Sequence, residues 1–256
     1  MLFNLLEERW IPVLLSNGTV CRVGIKEALT QAHKIRQIAA SNPMDRVAIT
    51  RFLLALLYWC KGNPQYKPPD NLFPPDWFKK LDDNYDCFDL LGEGKRFYQD
   101  RTVRRSQAIT QLIQEVPSGN NFWHFRHSTD YKDGMCPACC TMGLLRLPLF
   151  SVSGLSGPGE PNLMAGINGV PPVYVVPWGN SLFSTLLVNW TTCTNIGEPS
   201  WIQPSPIQSH NDVVPILNGL TLPSRRVLLH DPVNGSALCI RCGEKTATIL
   251  NCGFQS

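Results

Sequence analysis

No apolar stretch in this chain reaches membrane-spanning length. The longest uninterrupted one, Phe52 to Cys60, covers nine residues, against the roughly 18 to 20 that a transmembrane helix needs. Met1 to Arg9 has no basic segment leading into an apolar one and no small-residue cleavage site. No signal peptide is therefore read, and a cytoplasmic protein without membrane contact is expected. Charge of one sign is also scarce: 23 Lys and Arg against 20 Asp and Glu leave a formal net charge of +3. That balance neither demands nor excludes a nucleic-acid partner, because basic groups can gather on one face.

Catalytic signatures are missing as well. There is no His-Glu-x-x-His and no Gly-x-Ser-x-Gly. The glycines of Gly154-Leu155-Ser156-Gly157-Pro158-Gly159 are not followed by the Gly-Lys-Ser/Thr that would place a lysine on nucleotide phosphates. A zinc-dependent nucleobase deaminase wants Pro-Cys-x-x-Cys and an upstream His-x-Glu. Here Pro137 lies between the cysteines, and His124 and His127 bracket Phe125-Arg126 without a glutamate. A binding module is expected in preference to an enzyme.

What is present in quantity is cysteine, ten residues in all. In a cytoplasmic chain these do not read as a disulfide framework. Cys136-Pro137-Ala138-Cys139 and Cys239-Ile240-Arg241-Cys242 are two Cys-x-x-Cys pairs about 100 residues apart. Each can present two thiolates from a tight turn, and four thiolates close a tetrahedral site with no open position, which describes a structural Zn2+. Gly243 suits the turn of a zinc knuckle. Cys140 adjoins Cys139 and competes as a ligand, and His124 with His127 plus one Cys-x-x-Cys is a second possible ligand set. A redox dithiol is disfavoured because neither pair follows a thioredoxin-like strand-to-helix pattern. Cys21, Cys60, Cys87, Cys193 and Cys252 read as ordinary buried thiols.

In chain order, β-type runs at 10–15 and 19–23 flank Ser16-Asn17-Gly18, an Asn-Gly hairpin signal. A short helix is expected from Gly24 to Ala32. Asn42-Pro43 opens a helix over 44–61 that is apolar almost all round and therefore buried, with Arg46 and Arg51 on its exposed side. Five prolines between Pro64 and Pro75 make an irregular connection to a short helix near 76–83. Further elements are a strand at Val170 to Val176, a helix capped by Asn180 and running to Trp190, a strand at 225–229, and one at 249–250. The fold class is α+β: a mixed single large domain with an N-terminal β-hairpin, buried helices and a four-cysteine zinc-knuckle site.

Two stretches admit competing readings. Lys95, Arg96, Arg101, Arg104 and Arg105 face only Asp100, with Phe97 and Tyr98 among them. They form either a solvated face or a phosphate-binding surface. Ser118 to His127 packs Phe122, Trp123 and Phe125 with Arg126, His124 and His127. Those rings either anchor a loop in the core or stack on bases.

Leu5-Leu6-Glu7-Glu8-Arg9-Trp10-Ile11-Pro12-Val13, Lys95-Arg96-Phe97-Tyr98-Gln99, the first Cys-x-x-Cys, the Gly154 to Gly159 loop, and Arg225-Arg226-Val227-Leu228-Leu229-His230-Asp231-Pro232 occur in an informative order and spacing. This ordered set resembles the CasA family, the large subunit of the type I-E CRISPR surveillance complex Cascade. The resemblance covers essentially the whole chain. It implies that residues 1–256 correspond to the family's N-terminal domain. Family members continue into a lysine, a glutamine-bearing hairpin and a C-terminal helical bundle, none of which has a counterpart before Ser256. The expectation drawn is a naturally short subunit, with another subunit supplying the strand-separating wedge.

The function implied by the resemblance is non-catalytic. It comprises recognition of a protospacer-adjacent motif in target double-stranded DNA, target binding and the start of unwinding, after which guide pairing reads the sequence. Implied partners are the backbone, 5′-end-capping and small subunits, the CRISPR guide RNA, and a nuclease recruited to or carried in the complex. Carried over by position, Gly154, Gly157 and Gly159 meet the minor groove, a cleft about 6 Å wide that a bare backbone can enter. Phe125, Arg126 and His127 belong to the loop Asn121 to His127 that matches the family's loop before the first cysteine pair, with Phe125 nearest, and Cys136, Cys139, Cys239 and Cys242 match the zinc cysteines. Lys95, Arg96, Arg104 and Arg105 are the residues of the basic stretch expected to meet phosphates if that surface binds. The competing expectation is a zinc scaffold that caps the guide 5′ end and touches no duplex DNA.

Overall fold

The computed structural model describes residues 3–64, 68, 71–113, 115–116, 134–150, 173–203, 213–233, 235–249 and 251–255. Its elements are β1 (Ile11–Leu15), β2 (Val20–Val23), α1 (Ile25–Thr30), β3 (Ile35–Ile38), α2 (Pro43–Lys61), α3 (Lys79–Asp83), β4 (Ser106–Ala108), α4 (Pro137–Phe150), α5 (Leu182–Asn189), α6 (Ile216–Leu220), β5 (Arg226–Leu229), β6 (Ala237–Leu238), β7 (Lys245–Thr246) and β8 (Asn251–Gln255). The α+β class read from the sequence holds. The chain divides into two compact units, Met1–Phe97 with Pro172–Pro223, and Tyr98–Pro171 with Ser224–Ser256.

The first unit is built on the expected hairpin. β1 and β2 pair antiparallel from Ile11↔Val23 to Leu14↔Val20, with Asn17-Gly18 in the turn. β3, which the pattern did not announce, adds on the other side of β1 to give the order β2-β1-β3. α2 starts where Asn42 accepts a hydrogen bond from the Met44 N–H at 2.8 Å, with proline at the first helical position. Its buried residues include Phe52, Leu53, Leu56, Leu57 and Trp59. Phe52 lies 5.4 Å from Phe97 and 5.7 Å from Trp201, and Trp201 lies 5.7 Å from Trp59, so rings distant in sequence close one aromatic core. Edge-on pairs of this kind add roughly 0.5–1.5 kcal/mol each beyond their buried area.

Three local expectations are corrected. Arg51 is not a solvated side chain on α2, for it donates to the carbonyls of Gly219 (2.7 Å) and Leu220 (3.3 Å), while Arg46 Nε donates to Ala40 O at 2.6 Å. A helix terminus offers unsatisfied carbonyls, and the end of α6 takes the Arg51 guanidinium. α5 is capped by Ser181, not Asn180, through a reciprocal bond with Ser184. Residues 173–176 form no strand: Val173 and Val175 are 89% and 84% exposed, so the alternation has no core to face.

The second unit carries the sheet β4-β8-β5, antiparallel throughout, with Ala108↔Asn251 and Leu229↔Cys252 in register. α4 is its principal helix and is buried on nearly every side, only Pro148 and Phe150 being partly open. No helix among the described residues is long and apolar enough to cross a membrane.

Candidate metal centre

The two Cys-x-x-Cys pairs sit on different local structures. The second is the loop of a small hairpin, β6 with β7, in the register Ala237↔Thr246 and Leu238↔Lys245. Cys239 N–H donates to Glu244 O at 2.9 Å and Gly243 N–H to Cys239 O at 2.8 Å. Gly243 holds φ at +73°, a conformation that costs glycine little and other residues more. The first pair is not on a tight turn, as expected, but opens α4. Cys136 precedes the helix, Pro137 takes its first position, and Cys139 N–H points at Cys136 Sγ over 3.4 Å. Unpaired N–H groups at a helix start favour negative charge, which suits thiolates.

Backbone pairing brings these two structures together. Met135 and Ile249 exchange N–H···O bonds of 3.0 and 2.9 Å, and Ile240 N–H donates to Gly134 O at 3.0 Å. The result places one sulfur each from Cys136, Cys139, Cys239 and Cys242 within 4.8 Å of one another. The first three residues are buried and Cys242 is exposed. Zn–S bonds of about 2.3 Å put the sulfurs of a regular tetrahedron about 3.8 Å apart. Cys136 Sγ and Cys242 Sγ are 3.7 Å apart, far beyond a disulfide and close to that tetrahedral edge. The donor set therefore fits a divalent, thiophilic cation. Cys140 stands apart, fully buried with its Sγ directed at Met135 O over 3.8 Å.

Cys136, Cys139 and Cys239 hold their protons unequally. Hydrogen bonds with Cys136 and then Cys239, followed by burial, hold the Cys139 thiol well above its ordinary value. At Cys136 the bond with Cys139 lowers the pKa, but the bond with Cys239 and burial outweigh it and push the thiol up to about 12. Hydrogen bonds from Cys136 and Cys139 hold Cys239 well below its ordinary value. Metal ligation takes sulfur as thiolate, so a cation that takes these sulfurs displaces protons on binding.

The basic residues divide. Lys95 Nζ donates to Trp201 O, and Arg96 Nε to Gly92 O at 2.7 Å, so both engage backbone of the first unit. Phe97 between them and Tyr98 is core, 1% exposed. Arg101, Arg104 and Arg105 belong to the second unit and are exposed, Arg104 Nη1 donating to Arg101 O at 2.7 Å. Phe125, Arg126, His127, Gly154, Gly157 and Gly159, with His124, lie outside the described residues. Sequence reasoning missed Glu115, Arg146 and Arg241, which meet beside the second cysteine pair. The signal available was an arginine, Arg146, inside the apolar run Leu144 to Leu149.

Comparison with known proteins gives a consistent result. Over residues 4–254 the chain matches the family described as CRISPR-associated protein Cse1. The CRISPR-associated protein CasA/Cse1 of Thermus thermophilus is 30% identical over 217 residues, covering 79% of this chain and 42% of that relative. The solved structure of Thermus thermophilus CasA (Cse1) has a TM-score of 0.72 at 25% identity, over 99% of this chain and 54% of that one. A chain of a CRISPR RNA-guided surveillance complex reaches a TM-score of 0.75 at 17% identity, over 99% of this chain and 56% of its own length, a likeness of fold. The chain spans about half the length of the relatives it matches. On the family match over residues 4–254, the chain belongs to the Cse1 family of CRISPR-associated proteins.

Proposed function

We propose that the chain is a non-catalytic large subunit of a type I-E-like CRISPR RNA-guided complex, contributing to protospacer-adjacent-motif recognition in duplex DNA, target binding and the start of unwinding. The observation that carries this reading is the family match over nearly the whole chain. Residues 1–256 act as the counterpart of the N-terminal part of the longer relatives. The cytoplasm is its compartment, the other subunits and guide RNA are its partners, and a nuclease recruited to or carried in the complex does the cutting.

In this reading the metal is structural Zn2+. Cys136, Cys139, Cys239 and Cys242 would hold it, and four sulfur ligands leave no position for a reactive water. What zinc supplies is closure of the second unit. The DNA work falls to surface groups: Arg104 and Arg105 are exposed and can neutralise phosphates. Gly154, Gly157 and Gly159 approach the minor groove as the family resemblance implies, with Phe125, Arg126 and His127 beside them. Arg96 is half-buried with its Nε on Gly92 O, and this favours a smaller phosphate surface than the sequence alone implied.

That observation also favours the second reading, a zinc scaffold that caps the guide 5′ end without touching duplex DNA. The two separate in one experiment. The assembled complex is titrated with target duplex over a range of salt for the wild type and for Arg104→Ala/Arg105→Ala. If both arginines meet phosphates, the slope of log K against log salt becomes shallower by about 2, at roughly 0.9 per phosphate. Glu substitutions at both positions and Leu at Gly157 and Gly159 should abolish binding while guide RNA assembly persists. Unchanged target binding in these variants leaves the scaffold standing and removes the motif reader.

A further inference from the structure

We infer that Glu115 is a positioning residue for the metal centre, holding Arg241 of the second cysteine pair to Arg146 of α4 and so fixing the two pairs against each other. The inference rests on reading the four cysteines as a metal site. Arg241 is the third residue of Cys239-Ile240-Arg241-Cys242, and α4 carries Cys139. Glu115 Oε1 lies 3.2 Å from Arg146 Nη1 and 3.6 Å from Arg241 Nη2. Arg146 is wholly buried and also donates to Leu112 O, Arg241 is 13% exposed, and Glu115 is 40% exposed. One carboxylate oxygen at the rim thus stands before two cations set behind it.

The arrangement is informative because arginine does not shed its charge on burial. Two guanidinium groups that converge on one oxygen repel each other unless the carboxylate lies between them. The backbone already ties the cysteine pairs at Met135–Ile249 and Gly134–Ile240. At Arg241 a side-chain contact is added to those backbone bonds. Glu115 supplies that contact, in the manner of the outer partners that orient metal ligands in proteins generally.

A role by position and a role by charge predict opposite results. Four thiolates on a divalent cation carry a net charge of about −2, so positive charge nearby strengthens the site. Glu115→Gln makes the surroundings more positive by one unit; by charge alone it should slow zinc loss. If Glu115 positions the pairs, the same substitution speeds it. The test is transfer of Zn2+ from the purified chain to an excess chromophoric chelator, with hydrogen exchange in α4 measured on the same samples.

The expected result is zinc release about tenfold faster in Glu115→Gln, at the low end of what outer partners contribute, beyond any change in α4 exchange. Arg241→Gln should act in the same direction, and the double variant should add little, because the two residues act through one contact. Release at the wild-type rate or slower in Glu115→Gln overturns the inference, as does release that changes only in proportion to α4 exchange. Should Glu115→Gln fail to fold, Arg241→Lys, which keeps the charge but not the guanidinium reach to Glu115 and leaves the Arg146–Glu115 pair in place, decides: faster release supports the positioning role and a wild-type rate refutes it. A wild-type chain that binds no zinc overturns the metal centre and this inference together, whereas a loaded wild type with unaltered variants overturns the inference alone.

Discussion

Gly143→Ala is expected to destabilise the second unit, although helix propensity alone says the reverse. Within a helix, Gly to Ala gains about 1 kcal/mol, and Gly143 lies in the middle of α4. A Cβ built there meets Leu112 Cβ at 2.9 Å and Leu112 O at 3.3 Å. Carbon contacts are optimal at roughly 3.5–4.0 Å, so the overlap is about 0.6 Å or more. Leu112 is poorly placed to yield, because its carbonyl also accepts from the buried Arg146 guanidinium one turn along the same helix. Overpacking costs about 1–3 kcal/mol, and loosening a hydrogen bond to a charged group costs about 1.5–3 kcal/mol. Summed and set against the propensity gain, the net is a loss of about 1.5–5 kcal/mol. Native-state hydrogen exchange in the peptide covering 137–150, at saturating zinc, should then show protection reduced by at least about tenfold. Gly94→Ala is the control: nothing lies within 4 Å of the Cβ it would add, and no change is expected. Protection in Gly143→Ala equal to or above wild type would refute the packing argument and leave propensity in charge.

Two further outcomes follow from the same coordinates. Cys239→Ser should lose the bound zinc, read by elemental analysis, and lower the thermal midpoint. A metal on the four sulfurs would join Cys139 to Cys239 across about 100 residues, a closure that for a permanent cross-link is worth about 4–5 kcal/mol, and zinc binding is itself folding free energy. Retained zinc at an unchanged midpoint would remove the assignment. Burial pushes the Cys252 thiol from 9.0 up to about 12. The unfolded chain releases that proton near pH 9 while the folded chain keeps it, so the contribution is whole below pH 9 and is lost as pH rises toward 12, at about 1.4 kcal/mol per unit. Denaturant midpoints of Cys252→Ala should therefore fall less steeply between pH 9 and 10.5 than those of wild type. Parallel curves would show that the thiol is not protonated as its burial implies.

Local signals were legible because local physics decides them. Asn17-Gly18 makes its turn wherever it lies, and Asn42-Pro43 starts α2 because one side chain satisfies a backbone N–H and the next residue has none to satisfy. The meeting of the four cysteines was legible for a different reason: two Cys-x-x-Cys pairs are a recurring metal-ligand pattern, and their sulfurs do come within 4.8 Å of one another. What could not be read is the pairing of segments far apart. β8 sits between β4 and β5, about 145 residues from one and about 25 from the other, and no feature of Asn251 to Gln255 names those neighbours; register is set by burial, which sequence alone does not show. The basic stretch failed for the same reason. Lys95, Arg96, Arg104 and Arg105 are alike in a composition count, yet Lys95 donates to Trp201 O, more than a hundred residues away, and the half-buried Arg96 to Gly92 O, while Arg104, donating to Arg101 O three residues away, and Arg105 are exposed. Charge was visible in the sequence, but its destination depended on where Trp201 and Gly92 presented a carbonyl, and Trp201 is more than a hundred residues away from Lys95. Glu115 repeats the pattern at the metal centre: it is an ordinary acidic residue until α4 and the β6–β7 hairpin each place an arginine against the same oxygen. The four clustered cysteines were therefore easier to find than Glu115, since a ligand set is recognised by its own chemistry and a positioning residue only by what the fold brings to it.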